Sequence, residues 1–104
     1  MYDSGDVVLT QIQFSDKPEI KLRPALVLFE ELNNVVVAGI TSNKKMIGVP
    51  LTREDGAVRK SIIKLNYIFT ISCSQISRRL FSLNHKKRKL VYKELKKKIK
   101  RLKK

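Results

Sequence analysis

The chain has 104 residues, which is enough for one domain built around one hydrophobic core. Lysine and arginine together number 23 against 9 aspartates and glutamates, a formal charge of +14 at pH 7, and 42% of the residues are hydrophobic. So large a charge favours polyanionic partners such as nucleic acid, whereas the hydrophobic share excludes a disordered polycation. A single cysteine, Cys73, and a single histidine, His85, exclude an internal disulfide and the ligand clusters that zinc sites require.

The positive charge lies almost entirely at the end of the chain. Residues 1–77 hold nine basic and eight acidic side chains, a net charge of +1, whereas residues 78–104 hold fourteen basic side chains and one acid, a net charge of +13. This basic segment is either a solvated helix face or a surface that contacts a polyanion, and the sequence leaves both interpretations open. The polar N-terminus and the lack of a long apolar run predict a soluble, cytoplasmic protein with no membrane segment.

The first strand is predicted over residues 6–14, where apolar and polar side chains alternate. Residues 15–21 combine a proline with charged side chains and show no periodicity, which predicts a loop. A second strand begins near Arg23, because Pro24 biases the residue before it toward an extended backbone, and continues to Phe29. These two strands follow each other closely enough to pair.

Short strands continue through the middle of the chain. Asn33 and Asn34 accept left-handed backbone conformations and predict a hairpin into a third strand over residues 35–40. Residues 46–51 form a short strand that is interrupted by a glycine and a proline, so it is expected at a sheet edge. After a charged turn, two further strands are predicted over residues 61–65 and 67–72.

A single helix is expected at the C-terminal end, with Asn84 as its N-cap. Apolar residues recur there at steps of three and four and form a stripe that needs cover from the sheet or from a second subunit. The fold class is therefore mainly β with a C-terminal α-helix: one domain over residues 1–104, with a small, bent antiparallel barrel over about 5–82 and a helix over about 84–102. The stripe comprises Leu90, Val91, Leu95, Ile99 and Leu102.

Three sequence blocks occur in order along the chain: GDVVL at residues 5–9, RPALVL at 23–28 and ITS at 40–42. The segment from 49 to 71, which contains IFT at 68–70, follows them. In this order and spacing the blocks resemble the MazF/PemK-like toxin endoribonucleases of type II toxin–antitoxin systems. The resemblance implies an SH3-like barrel of the MazF, CcdB and PemK type, usually a homodimer, that is neutralised by an antitoxin. It also implies RNA cleavage without a metal or other cofactor.

The resemblance assigns catalysis to the arginine of RPALVL and the threonine of ITS, which are Arg23 and Thr41, with Ser42 as a supporting neighbour. Chemically, a guanidinium can hold two phosphoryl oxygens as they gain negative charge, and a hydroxyl adds one more donor. The flanking loops supply lysines that could line an RNA groove, and Phe14 and Tyr67 are candidates for base stacking, although aromatic residues in strands more often belong to the core. The lysines are Lys17, Lys21, Lys44 and Lys45.

The basic helix departs from the family pattern, because the corresponding helix in typical members of the family is mixed in charge. It either extends the RNA-binding surface or receives an acidic antitoxin. A second function therefore stays open: a non-catalytic nucleic-acid-binding barrel in which the helix alone provides the affinity. The sequence preference of any cleavage depends on loop geometry, which the sequence leaves undetermined.

Overall fold

The structure is a computed structural model that describes residues 1–13, 20–43 and 45–104. Six antiparallel strands form one sheet in the order β4-β5-β3-β2-β1-β6, which curls into a half-barrel. A single helix, α1, and a short 3-10 segment over Lys100–Lys103 follow the last strand. The strands are β1 (Asp6–Gln13), β2 (Ile20–Glu31), β3 (Asn34–Thr41), β4 (Val49–Leu51), β5 (Ser61–Ser72) and β6 (Ile76–Ser82), and α1 spans His85–Ile99.

Several predicted features of the strands and the helix are confirmed by the structure. The predicted hairpin joins β2 to β3, but its turn lies at Leu32 and Asn33, whose φ angles of 49° and 67° are left-handed, whereas Asn34, predicted as a turn residue, begins β3. The short strand β4 lies at an edge of the sheet, as its proline requires. Asn84 caps α1 with its side-chain oxygen, which accepts a hydrogen bond of 2.8 Å from the Lys87 N–H.

Other boundaries differ from the prediction. β2 begins at Ile20, so the predicted loop over 15–21 is wrong at its last two residues. The two strands predicted over 61–65 and 67–72 are one strand, β5, with a bulge at the point where a break was expected. β6 was not predicted, because its two adjacent arginines hide the alternation, yet it pairs with β1 and forms the other edge.

Alternation along the strands places two cores on opposite faces of the sheet. One cluster contains Val7, Leu26 and Ile63 and is covered by α1 through Val91. The other contains Val8, Val27 and Val37. Because successive strand residues point to opposite faces, each central strand contributes to both clusters.

The helix is anchored only near its start. Val91 is buried and Leu95 is half-buried against the first cluster, whereas Ile99 and Leu102 are 54% and 86% exposed. The sheet therefore covers only part of the predicted apolar stripe. No helix within the described residues is long and apolar enough to cross a bilayer.

Candidate active site

Arg23 and Thr41 come together where β2 begins and β3 ends. The last residue pair of the β2–β3 ladder is Ala25 opposite Gly39, and the same register two residues further sets Arg23 against Thr41. Residues opposite each other in an antiparallel pair project to the same face. Both residues line one cavity of about 180 Å³. The arginine and the threonine expected to share a site thus line one cavity.

Pro24 lies where the pairing of β2 with β3 ends, next to Arg23. A proline has no N–H to donate to a ladder. Pro24 stays paired with Leu9 of β1, but the pairing of β2 with β3 stops one residue away, at Ala25. Arg23 therefore lies beyond the last residue pair that joins β2 to β3.

The Thr41 side chain is oriented by the loop that follows it. Its Oγ1 accepts a hydrogen bond of 3.1 Å from the Asn43 N–H, and the Asn43 Oδ1 accepts one of 3.0 Å from the Lys45 N–H. Such local side-chain to backbone bonds fix a turn and the rotamer that makes it. Because Oγ1 accepts here through a lone pair, its hydrogen is available for donation into the cavity.

Two further residues of the cavity come from the β5 bulge. Lys64 lies opposite Gly39 in the β3–β5 ladder, and the register then shifts so that Ile68 is opposite Ala38. Tyr67 lies within this shift and lines the cavity with Lys64. Its ring centroid is 4.3 Å from the Lys64 Nζ, a cation–π contact. Sequence reasoning missed Lys64, since its place in this cavity follows from the pairing of β5 with β3 and leaves no local pattern.

The other predicted site residues lie around this cavity or beyond the described part of the chain. Ser42 is exposed and lines a neighbouring cavity of about 530 Å³, to which Arg23 also contributes. Lys21 is exposed on β2 two residues before Arg23, and Lys45 is exposed in the loop after β3. Lys17, Lys44 and Phe14 are outside the described residues.

A buried carboxylate ties β1 to β6. Asp6 is 4% exposed and accepts hydrogen bonds from the Asp3 N–H (2.9 Å), the Arg79 Nε (2.9 Å) and the Ser82 hydroxyl (2.6 Å). Burial by itself would raise the pKa of Asp6, but the bonds from Ser82, the Asp3 N–H and Arg79 outweigh it, and the pKa falls below the ordinary value. Asp6 is therefore charged at neutral pH and holds the first residues of the basic segment.

A second carboxylate holds the start of α1. Asp55 accepts hydrogen bonds from the Thr52 N–H (2.8 Å) and hydroxyl (3.1 Å), and the Lys87 Nζ lies 3.3 Å away. Burial would raise the pKa of Asp55, yet these donors lower it overall. Lys87 also donates to the Pro50 carbonyl at 2.8 Å, so one lysine fixes the helix to the β4 edge.

The chain was compared with known protein families, curated proteins and solved structures. Residues 3–99 match the model of the PemK-like, MazF-like toxin of type II toxin–antitoxin systems. The comparison with curated proteins gave no significant match. No group of three histidines, cysteines or acids that could hold a metal ion occurs within residues 1–13, 20–43 and 45–104.

Three solved structures share the fold. The Mycobacterium tuberculosis toxin MazF-mt6 superimposes with a TM-score of 0.73 at 23% identity, covering 88% of this chain and 93% of that one. An Mtb toxin gives 0.70 at 20% identity, with 88% and 97% covered. MazF from Deinococcus radiodurans gives 0.68 at 17% identity, with 94% and 96% covered. These matches confirm the expected fold class, a mainly β, SH3-like half-barrel with a C-terminal helix, and with the family match over residues 3–99 they show that the chain belongs to the PemK-like, MazF-like toxins of type II toxin–antitoxin systems.

Proposed function

We propose that this toxin is a metal-independent endoribonuclease that cleaves single-stranded RNA by attack of the ribose 2′-hydroxyl on the adjacent phosphorus. The observation that carries the proposal is the position of Arg23 and Thr41 on two neighbouring strands, lining one cavity. Membership of the toxin family adds support. The products are a 2′,3′-cyclic phosphate and a 5′-hydroxyl end.

The chemistry requires charge stabilisation at the phosphoryl group. As the 2′-oxygen bonds to phosphorus, its proton passes to solvent, the bond to the 5′-oxygen breaks and that oxygen takes up a proton. The two non-bridging oxygens carry the negative charge that builds up in between. An arginine guanidinium stays charged in proteins, so Arg23 acts as the stabiliser rather than as a general base, and the Thr41 hydroxyl adds a second donor.

The size of the cavity agrees with a polymeric substrate. Pockets that enclose a whole small molecule usually measure roughly 300–1,000 Å³. The cavity at Arg23 and Thr41 measures about 180 Å³, and Arg23 also lines a neighbouring cavity of about 530 Å³, so a ligand held at Arg23 can extend from one cavity into the other. A phosphodiester of an extended RNA strand fits this arrangement.

The proposed partners follow from family and charge. Toxins of this family act beside an antitoxin, and an acidic, partly disordered antitoxin segment suits a chain of net charge +14. A homodimer is supported by the apolar side chains that α1 leaves exposed, including Ile99 and Leu102. Both the RNA substrate and the antitoxin place the activity in the cytoplasm.

The decisive experiment compares three substrates of identical sequence in excess chelator: RNA, DNA and RNA that is 2′-O-methylated throughout. We expect cleavage of the RNA alone, since only it carries the nucleophile. End analysis of the fragments should give cyclic phosphate and 5′-hydroxyl ends. Cleavage of the DNA or of the methylated RNA would contradict the mechanism.

One observation favours a second function. The net charge of +13 over residues 78–104, on a helix that is largely exposed, suits a non-catalytic nucleic-acid-binding module. That function predicts RNA binding with no product in the same three-substrate experiment. It also predicts that Arg23→Ala leaves RNA affinity nearly intact.

A further inference from the structure

The β5 bulge places an aromatic ring beside the proposed phosphate site, and we infer that Tyr67 and Lys64 form a nucleobase subsite. In this subsite the Tyr67 ring stacks on a base of the RNA strand next to the scissile phosphate. The inference rests on the proposed function for the identity of the ligand. It assigns to these two residues a role in holding the substrate, distinct from the charge stabilisation by Arg23 and Thr41.

The first supporting observation is the shape of the backbone around Tyr67. Lys64 and Ile68 of β5 are opposite two consecutive residues of β3, Gly39 and Ala38. Three β5 residues, 65–67, therefore lie between two consecutive pairs of the ladder. Bulges of this kind are enriched next to active sites, where they redirect a side chain. Here the redirected side chain is Tyr67, which lines the cavity of Arg23 and Thr41.

The second observation is that Gly39 makes room for the ring. A Cβ added at Gly39 would lie 3.4 Å from the Tyr67 Cδ2 and 3.6 Å from its Cβ. The ring therefore packs directly against the β3 backbone beside Thr41. Contact with a backbone, rather than with a mobile side chain, fixes the position of the ring before a ligand arrives.

The third observation is the combination of exposure and charge. Tyr67 is 47% exposed on a stretch of β5 that lies beyond its pairing with β4, and the Lys64 Nζ sits 4.3 Å from its ring centroid. A tyrosine that served only the core would be covered. Exposed rings beside cations are the arrangement by which proteins hold single-stranded nucleic acid, since every base has a face to stack.

The test measures binding of a fluorescent, fully 2′-O-methylated RNA that carries all four bases. Stacking of one base on an aromatic side chain predicts that Tyr67→Ala weakens binding about 5- to 150-fold. Tyr67→Phe keeps the ring and should bind like the wild type. The matched control is Tyr92→Ala, because Tyr92 is also an exposed tyrosine beside a lysine, Lys96, at 5.8 Å, but lies on α1.

A second arm replaces one nucleotide of the probe at a time by an abasic one. At one position the loss of the base should weaken wild-type binding and leave Tyr67→Ala unaffected, because the variant has already lost that contact. If Tyr67→Ala fails to fold, Tyr67→Leu keeps an apolar side chain over Gly39 without a ring and is expected to show the same loss.

The inference is overturned if the Tyr67 variants bind as tightly as the wild type, or if Tyr92→Ala loses as much affinity as Tyr67→Ala. It is also overturned if every abasic position weakens the variant as much as the wild type. The proposed function fails separately: if unmodified RNA is not cleaved while the Tyr67 pattern persists on the methylated probe, the subsite stands and the nuclease mechanism falls.

Discussion

Residues 1–77, which hold most of the half-barrel, and the basic segment over residues 78–104, which holds the rest of β6 and the helix α1, contrast in charge and in packing. The first is nearly neutral at +1 and contributes all the residues proposed for chemistry and base contact, whereas the second carries +13. Within α1 only Val91 is buried. Charge alone attracts a polyanion from any direction, but a reaction needs donors held at fixed positions. We therefore expect the basic segment to contribute mainly to the affinity for RNA, and the cavity of Arg23 and Thr41 to contribute to catalysis.

The two regions are joined by acids of the half-barrel. Asp6 holds Arg79 of β6, and Asp55 holds Lys87 in the first turn of α1. Beyond Val91 and Leu95, the apolar residues Ile99 and Leu102 are exposed. The first residues of the basic segment thus belong structurally to the half-barrel, and its distal part is available to a partner.

The largest effect is expected in the half-barrel, at Arg23. Arg23→Ala should lower kcat for RNA cleavage about 100- to 1,000-fold, as removal of one preorganised donor typically does. Arg23→Lys keeps the charge without the two-pronged fork and should recover only part of the rate. Single-turnover cleavage assays measure both. If the Arg23→Ala enzyme cleaves RNA at the wild-type rate, the proposed catalytic role of Arg23 is wrong.

The junction between the two regions should respond to acid. Because the pKa of Asp6 is lowered in the folded state, its contribution to stability is present above the unfolded value of about 3.9 and is lost as the pH falls below it. Asp6→Asn should cost about 1–3 kcal/mol at pH 7 and flatten the pH dependence below pH 4. Chemical denaturation at a series of pH values measures this, with the exposed Asp3→Asn as control. An equal effect of the two variants would contradict the assignment.

Within α1 the anchored and the free parts should differ in stability. Val91→Ala removes buried methyl groups and is expected to lower the free energy of unfolding by about 1–3 kcal/mol. Leu102→Ala, at a residue that is 86% exposed, should change it by less than about 0.5 kcal/mol. Denaturation at low protein concentration makes the comparison. A large effect of Leu102→Ala that grows with protein concentration would show that a second copy covers it.

The smallest effect on catalysis is expected from the exposed lysines of the helix. A triple variant, Lys93→Gln, Lys96→Gln and Lys100→Gln, should keep kcat at saturating RNA. The salt dependence of binding should weaken by about 0.7 in slope for each of these lysines that contacts a phosphate. Binding titrations at several salt concentrations measure the slope. A fall in kcat as large as that of Arg23→Ala would contradict the expectation that these lysines contribute to RNA binding and not to catalysis.

Much of the site was predictable because its signals are local. Arg23 precedes a proline at a strand start and Thr41 ends a strand, so the family blocks and the strand pattern located both. Lys64 was missed because its place beside Arg23 depends on the pairing of β5 with β3, which sets Lys64 opposite Gly39 and which no local pattern reveals. Strand β6 was missed for a related reason: Arg78 and Arg79 interrupt the apolar pattern, and only the pairing with β1 shows how they fit.

The sequence by itself determined the features with short-range causes: the hairpin at Asn33, the Asn84 cap and the concentration of charge after residue 77. Tertiary structure alone decided what depends on contacts between distant residues. It joined two predicted strands into β5, brought Tyr67 across Gly39 to the cavity of Arg23 and Thr41, and left most of the helix stripe uncovered. The physical reason is that propensity and capping act over a few neighbours, whereas register, bulges and burial are set by which strands pair.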